Sequence, residues 1–139
     1  MYSSSQLKPT YVSVKTHIQE STGTRFPAPE LVFRGMDVDP GIHDVVLTMR
    51  RGKKVVRYNI YFKKNMNLPV NHCVGALTAG SISAWYGDVL FMKLGSKIDG
   101  VVNWRREDDH LANLALKRFV SHVKQSGTTI YPLNLQFDE

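Results

Sequence analysis

The sequence predicts an α+β fold: a mainly antiparallel sheet of about five to seven strands, with one long C-terminal helix packed on one face. Three observations carry this. Two alternating runs, 43–50 and 55–62, become amphipathic together when they pair across Gly52-Lys53. The stretch 104–125 carries apolar residues at a period of about 3.6. Several other short runs alternate in twos, the strand period. The chain has 139 residues, 42% hydrophobic and 22% charged. A domain of about 100–200 residues buries enough surface to need no disulfide or metal staple. This composition fits none of the disordered, collagenous or coiled-coil classes.

Residues 1–9 are Ser-rich and expected as a flexible tail, leaving 10–139 as a single α+β domain. Val12, Val14, Thr16 and Ile18 then alternate with Ser13, Lys15 and His17, a half-buried strand. Gln19 to Pro29 is rich in turn formers and reads as a long connection, followed by a short strand at Leu31–Arg34. Asp39-Pro40-Gly41 marks a second loop.

The hairpin is the best-defined element. With Gly52-Lys53 as a type II′ turn, strand partners place Met49 opposite Val56, Leu47 opposite Tyr58, Val45 opposite Ile60 and His43 opposite Phe62 on one side. The other side pairs Asp44 with Tyr61, Val46 with Asn59, Thr48 with Arg57 and Arg50 with Val55. A slip of one residue scrambles both faces, so this register is favoured.

Asn65 to Pro69 reads as a loop. Val70 to Tyr86 has no clean period and many small residues, so a strand pair and a short buried helix both fit. Asp88–Leu94 is expected as a strand with Leu90, Met92 and Leu94 on one face, turning through Gly95-Ser96-Lys97 into a strand at Ile98–Asn103. From Trp104 to Gln125, Leu111, Ala112, Ala115, Leu116, Phe119, Val120 and Val123 fill an arc of about 180° on a helix. Glu107, Asp108 and Asp109 at its start and Lys117, Arg118 and Lys124 near its end complement the dipole. Gly127 stops it. Thr129, Tyr131, Leu133, Leu135 and Phe137 alternate as a last strand, which Pro132 places at an edge.

Several chemistries lack their residues. The candidate metal ligands His17, His43, His72, Cys73, His110 and His122 have no C-x-x-C, H-x-x-x-H or H-E-x-x-H spacing, so no metal or other cofactor is expected. His43 and His122 read as histidines at the margin of the core. Gly75 and Gly80 have the spacing of a phosphate loop, but Ser81 stands where its Lys belongs. Asp37 to Gly41 reads as a turn, not a calcium loop, and no Ser lies in a G-x-S-x-G elbow. Glu107-Asp108-Asp109 is expected at a helix start, where acidic side chains meet the positive end of the dipole. Cys73, the one cysteine, is expected buried and inert; an enzyme joining it to a remote His such as His43 or His110 is the weaker alternative. The sequence therefore leans away from catalysis.

The start of the chain has neither the apolar run of a secretory signal nor the pattern of a transit peptide. With a lone cysteine and no N-x-Ser/Thr sequon, the expected location is intracellular, cytoplasm or nucleus. Asn65 to Gly87 is uncharged but rich in Asn and Gly with Pro69, so a buried segment is expected rather than a membrane span.

The net charge of +6 is concentrated. Arg50, Arg51, Lys53, Lys54, Arg57, Lys63 and Lys64 fall between positions 50 and 64 with no acid among them, so the remaining 124 residues sum to −1. A basic ribbon with Tyr61 on its outward face can follow phosphates and stack a base. The expected function is a non-enzymatic binding module that contacts an anionic partner, nucleic acid or an acidic protein surface. Its candidate site is Arg50, Arg51, Lys53, Lys54, Arg57, Tyr61, Lys63 and Lys64, extended by Lys97, Arg105 and Arg106 if they fold beside it. Solubility and the blocking of edge pairing also account for a Lys/Arg-rich turn. The hairpin does not match the aromatic-rich pattern of the RNA recognition motif. The alternative is a protein–protein interaction module or a scaffold that self-associates as a homo-oligomer, using the edge strand Thr129–Phe137 with Trp85, Tyr86 and Trp104.

Overall fold

The computed structural model describes residues 1–13, 16–18, 25–27, 42–63, 67–80, 84–95, 100–123, 125 and 134–138. Strands β1 (Thr16–Ile18) and β2 (Arg25–Pro27) form an antiparallel pair of their own. β3 (Ile42–Arg51), β4 (Lys54–Lys63), β5 (Val89–Leu94), β6 (Val101–Val102) and β7 (Asn134–Asp138) build a five-stranded sheet in the order β6-β5-β4-β3-β7. Two helices accompany it, α1 (His72–Thr78) and α2 (Asp109–His122). The α+β class therefore holds. The expected strand at Leu31–Arg34, the turn at Asp37–Gly41, the first two residues of the strand expected from Ile98, and residues Thr129–Leu133 lie outside the described residues.

The hairpin has the register its apolar pattern demands, from Ile42 opposite Lys63 to Arg51 opposite Lys54. Gly52 has φ +61° and Lys53 does not have positive φ, the signature of a type II′ turn. Val45, Leu47, Met49, Val56, Tyr58, Ile60 and Phe62 are buried on the inner face. α2 lies against that face. All seven apolar positions expected on the helix are buried, and Phe119 meets the ring of Phe62 at 5.3 Å between centroids.

Two details of the expected layout are corrected. The sheet is mixed, because β7 pairs parallel to β3. A strand that returns after a helical crossover can enter in the same direction as its partner, whereas a hairpin cannot. The long helix is neither C-terminal nor as long as 104–125: α2 has 14 residues and is followed by β7. Its start is fixed by a 3₁₀ turn at Arg106–Asp108, where Asp108 Oδ2 accepts the backbone N–H of extended Arg105 at 2.7 Å. Its end is fixed at Val123, which is already extended.

Val70–Tyr86 contains the short helix. Asn71 caps it and Ala79, with φ +52°, ends it. The opening residues are not a free tail throughout. Tyr2 is 3% exposed, exchanges two backbone hydrogen bonds with Val89, and donates its hydroxyl to Asn113 Oδ1 at 2.9 Å.

Candidate functional site

The turn between β3 and β4 exposes Arg50, Arg51, Lys53 and Lys54. The ladder from β4 to β5 stops at Arg57 opposite Leu94. Lys54, Val55 and Val56 thus run about 10 Å beyond that pairing. On the other flank β7 reaches the tip, with Asp138 opposite Arg50 and both exposed on the outer face. That carboxylate offsets part of the field on one side, so the cationic surface is open mainly towards Lys53 and Lys54.

The other expected site residues do not all join this tip. Arg57 is half-buried and its Nη2 donates to the Gly95 carbonyl at 2.9 Å, pinning the end of β5. Tyr61 is half-buried against Leu90 and Met92, and its hydroxyl accepts from Asn59 Nδ2 at 2.8 Å. Sequence alternation places it correctly on the outward face, but the face is covered there. Lys63 is 6% exposed at the far end of the hairpin, about 30 Å from Lys54. Its carbonyl accepts from Gln125 Nε2 at 3.0 Å. Lys64 and Lys97 lie outside the described residues. Arg105 and Arg106 are exposed beside α2. Among the described residues, this run of cations is therefore a tip of four and a flanking Arg57, with Lys63 apart from them.

The aromatics offered for a protein interface are largely internal. Trp85 is 4% exposed and packs on Phe62 and Phe119, and Tyr86 is half-buried. Trp104 is half-buried and donates its indole N–H to Asp109 Oδ1 at 2.8 Å. β7 is at the edge of the sheet as expected.

Cys73 is fully buried on α1, and desolvation pushes its thiol above the ordinary range, which disfavours the nucleophilic thiolate. His72 beside it is exposed. His43 stacks on Phe62, while His122 Nδ1 pairs with the Arg118 carbonyl at 2.8 Å. The acidic triplet divides by role. Asp108 accepts Lys93 Nζ at 2.9 Å, Asp109 accepts Trp104 and the Tyr11 hydroxyl, and Glu107 is exposed. Among the described residues no group of three His, Cys, Asp or Glu side chains is arranged to hold a metal ion, and no helix is long and apolar enough to cross a membrane.

Sequence reasoning missed a cleft of about 640 Å³ between the opening segment, the free edge of β5, β6 and the start of α2. Its walls come from stretches far apart in the chain, so no local spacing announces it. Comparison with protein-family models, curated proteins and solved structures finds no match.

Proposed function

We propose that the chain is a non-enzymatic binding module whose hairpin tip contacts the phosphate backbone of a nucleic acid through Arg50, Arg51, Lys53 and Lys54, with Arg57 adding to the field from the flank. The observation that carries this reading is the exposure of four cations within five positions on a turn whose register is fixed by ten residue pairs. A paired ribbon holds its charges at defined spacing, which reduces the ordering needed on binding.

Nucleic acid is favoured over an acidic protein by what surrounds the charges. Protein interfaces draw their energy from a desolvated apolar or aromatic centre. At the tip Val55, 46% exposed, is the one large apolar side chain on offer among the described residues. Phosphate contacts need only positioned cations. With Tyr61 packed away from the tip, base stacking has no platform there, so binding is expected to be insensitive to sequence.

Counterion release supplies the test. For four to five phosphate contacts, the logarithm of the affinity for a short DNA duplex should fall with the logarithm of salt concentration at a slope of about −4. Replacing Arg51, Lys53 and Lys54 together by Ser should flatten it by about 3. Absence of binding at about 50 mM salt, or a slope unmoved by the triple change, overturns the proposal. Equal affinity for polyglutamate overturns the choice of nucleic acid.

A further inference from the structure

The free edge of β5 has a gap one residue wide. Tyr2 N–H donates to the Val89 carbonyl at 2.8 Å and Val89 N–H donates to the Tyr2 carbonyl at 2.9 Å. Backbone groups of alternate residues in an antiparallel strand face the same side, so Phe91 and Lys93 turn theirs to this edge as well. Lys93 is opposite Val102 of β6. Between them the N–H and C=O of Phe91 have no partner among the described residues. Val89 and Lys93 are about 13 Å apart along the strand. A peptide strand cannot run through such an interval without meeting Tyr2 and Val102. A single flat group can occupy it.

The cleft opens on this gap, and its volume lies within the range of small-molecule sites, about 300–1,000 Å³. Asp109 holds two aromatic side chains of its wall at once, Trp104 through the indole N–H and Tyr11 through the hydroxyl. Tyr11 is 62% exposed and Val102 40%, apolar surface left open at the rim. The lining cation Lys93 is committed to Asp108 at 2.9 Å, and the Met1 ammonium, which donates to the Thr10 carbonyl, is offset by the Asp109 carboxylate. These charges balance, so the lining gives a phosphate or carboxylate ligand no net attraction.

We infer that this cleft binds an uncharged flat heteroaromatic compound carrying a hydrogen-bond donor beside an acceptor, the edge pattern of a nucleobase or nucleoside. Its acceptor takes the Phe91 N–H, its donor gives to the Phe91 carbonyl, and its ring packs against Trp104 and Tyr11. The site is separate from the hairpin tip and does not depend on the function proposed for it.

Titration of the ¹⁵N-labelled chain with adenosine tests this. Shifts are expected at the Phe91 amide and the Trp104 indole N–H, with the Lys53 and Lys54 amides unmoved. N6,N6-dimethyladenosine lacks the donor and should bind at least about tenfold more weakly, as should adenosine against the Tyr11→Ala chain. Adenosine monophosphate should bind no more tightly than adenosine. No shift at Phe91 and Trp104 with millimolar adenosine, equal binding of the dimethyl compound, or tighter binding of the monophosphate overturns the inference. The dimethyl comparison is made on the unaltered chain, so it stands whether or not Tyr11→Ala folds.

Discussion

Asn71 Nδ2 donates to the carbonyl oxygen of Tyr2 across 2.8 Å, tying the start of the chain to the cap of α1. The same amide donates to the Gly87 carbonyl at 2.8 Å, while Oδ1 accepts the Val74 N–H at 3.0 Å. Asn71 is 1% exposed, so none of these groups can turn to water if it is lost.

Asn71→Ala should therefore lower stability by about 2–4 kcal/mol, a lost cap plus a stranded Gly87 carbonyl, while the Tyr2 carbonyl keeps the Val89 N–H. Asn71→Asp separates the two contributions, because a carboxylate can cap but cannot donate. It would face the Tyr2 and Gly87 carbonyls with negative charge. The expected result in urea unfolding is that Asp fails to rescue; recovery to near the parent midpoint would show that the cap alone matters.

The same substitution should act with opposite sign at two glycines. Gly52 sits at φ +61° with nothing within 4 Å of an added Cβ, so Gly52→Ala carries only the conformational cost of about 1–2 kcal/mol. Gly75 is exposed within α1, without positive φ, and an added Cβ again meets nothing within 4 Å. Gly75→Ala should stabilise by about 0.5–1 kcal/mol through helix propensity. Thermal unfolding of the two variants reads the difference, and two changes of equal sign would contradict it.

These positions also show what the sequence could reveal. The turn at Gly52 and the pairing from His43 to Phe62 were legible because a period of two tolerates no slip. The buried face of α2 was legible because Leu111 to Val123 keeps its own period. Direction and coverage were not. β7 alternates equally well in either orientation, and its parallel pairing depends on the path of the chain around α2. Tyr2 in a Ser-rich opening carries no period, so its burial follows only from Val89 and Asn71 being placed to receive it. Tyr61 and Lys63 belong to a run of basic and polar residues, yet their exposure depends on what folds over the outer face. The cleft is legible only after Tyr11, Phe91 and Trp104 have been brought together.

Asp108 and Lys93 should respond unequally to loss. Lys93 is partly exposed, its side chain 24% accessible, so Lys93→Met should cost no more than about 1 kcal/mol. Asp108→Ala also strands the N–H of Arg105 at the entry to the 3₁₀ turn. Its expected cost is about 2 kcal/mol, with greater amide exchange at Asp108 and Asp109. Equal costs would mean that the ion pair, rather than the turn, carries the effect.

Alkaline pH should destabilise the fold through three buried acids. Burial pushes the Cys73 thiol and the Tyr2 and Tyr58 phenols up from their ordinary values. In the unfolded chain they ionise near pH about 8.5 for the thiol and about 10 for the phenols. Below those values both states hold the protons and the stability contribution is complete. As pH rises beyond them the unfolded chain releases protons that the folded chain keeps, and stability falls by about 1.4 kcal/mol per pH unit for each fully released group. Tyr58 isolates this effect because its hydroxyl has no hydrogen-bond partner among the described residues and its ring is fully buried. Tyr58→Phe should leave stability at pH about 7 equal or slightly higher, since no bond is lost. Between about pH 10.5 and 11.5 its stability should decline less steeply than the parent's, by about 1.4 kcal/mol per pH unit. Parallel declines in urea unfolding across that interval would show that Tyr58 ionises as readily folded as unfolded.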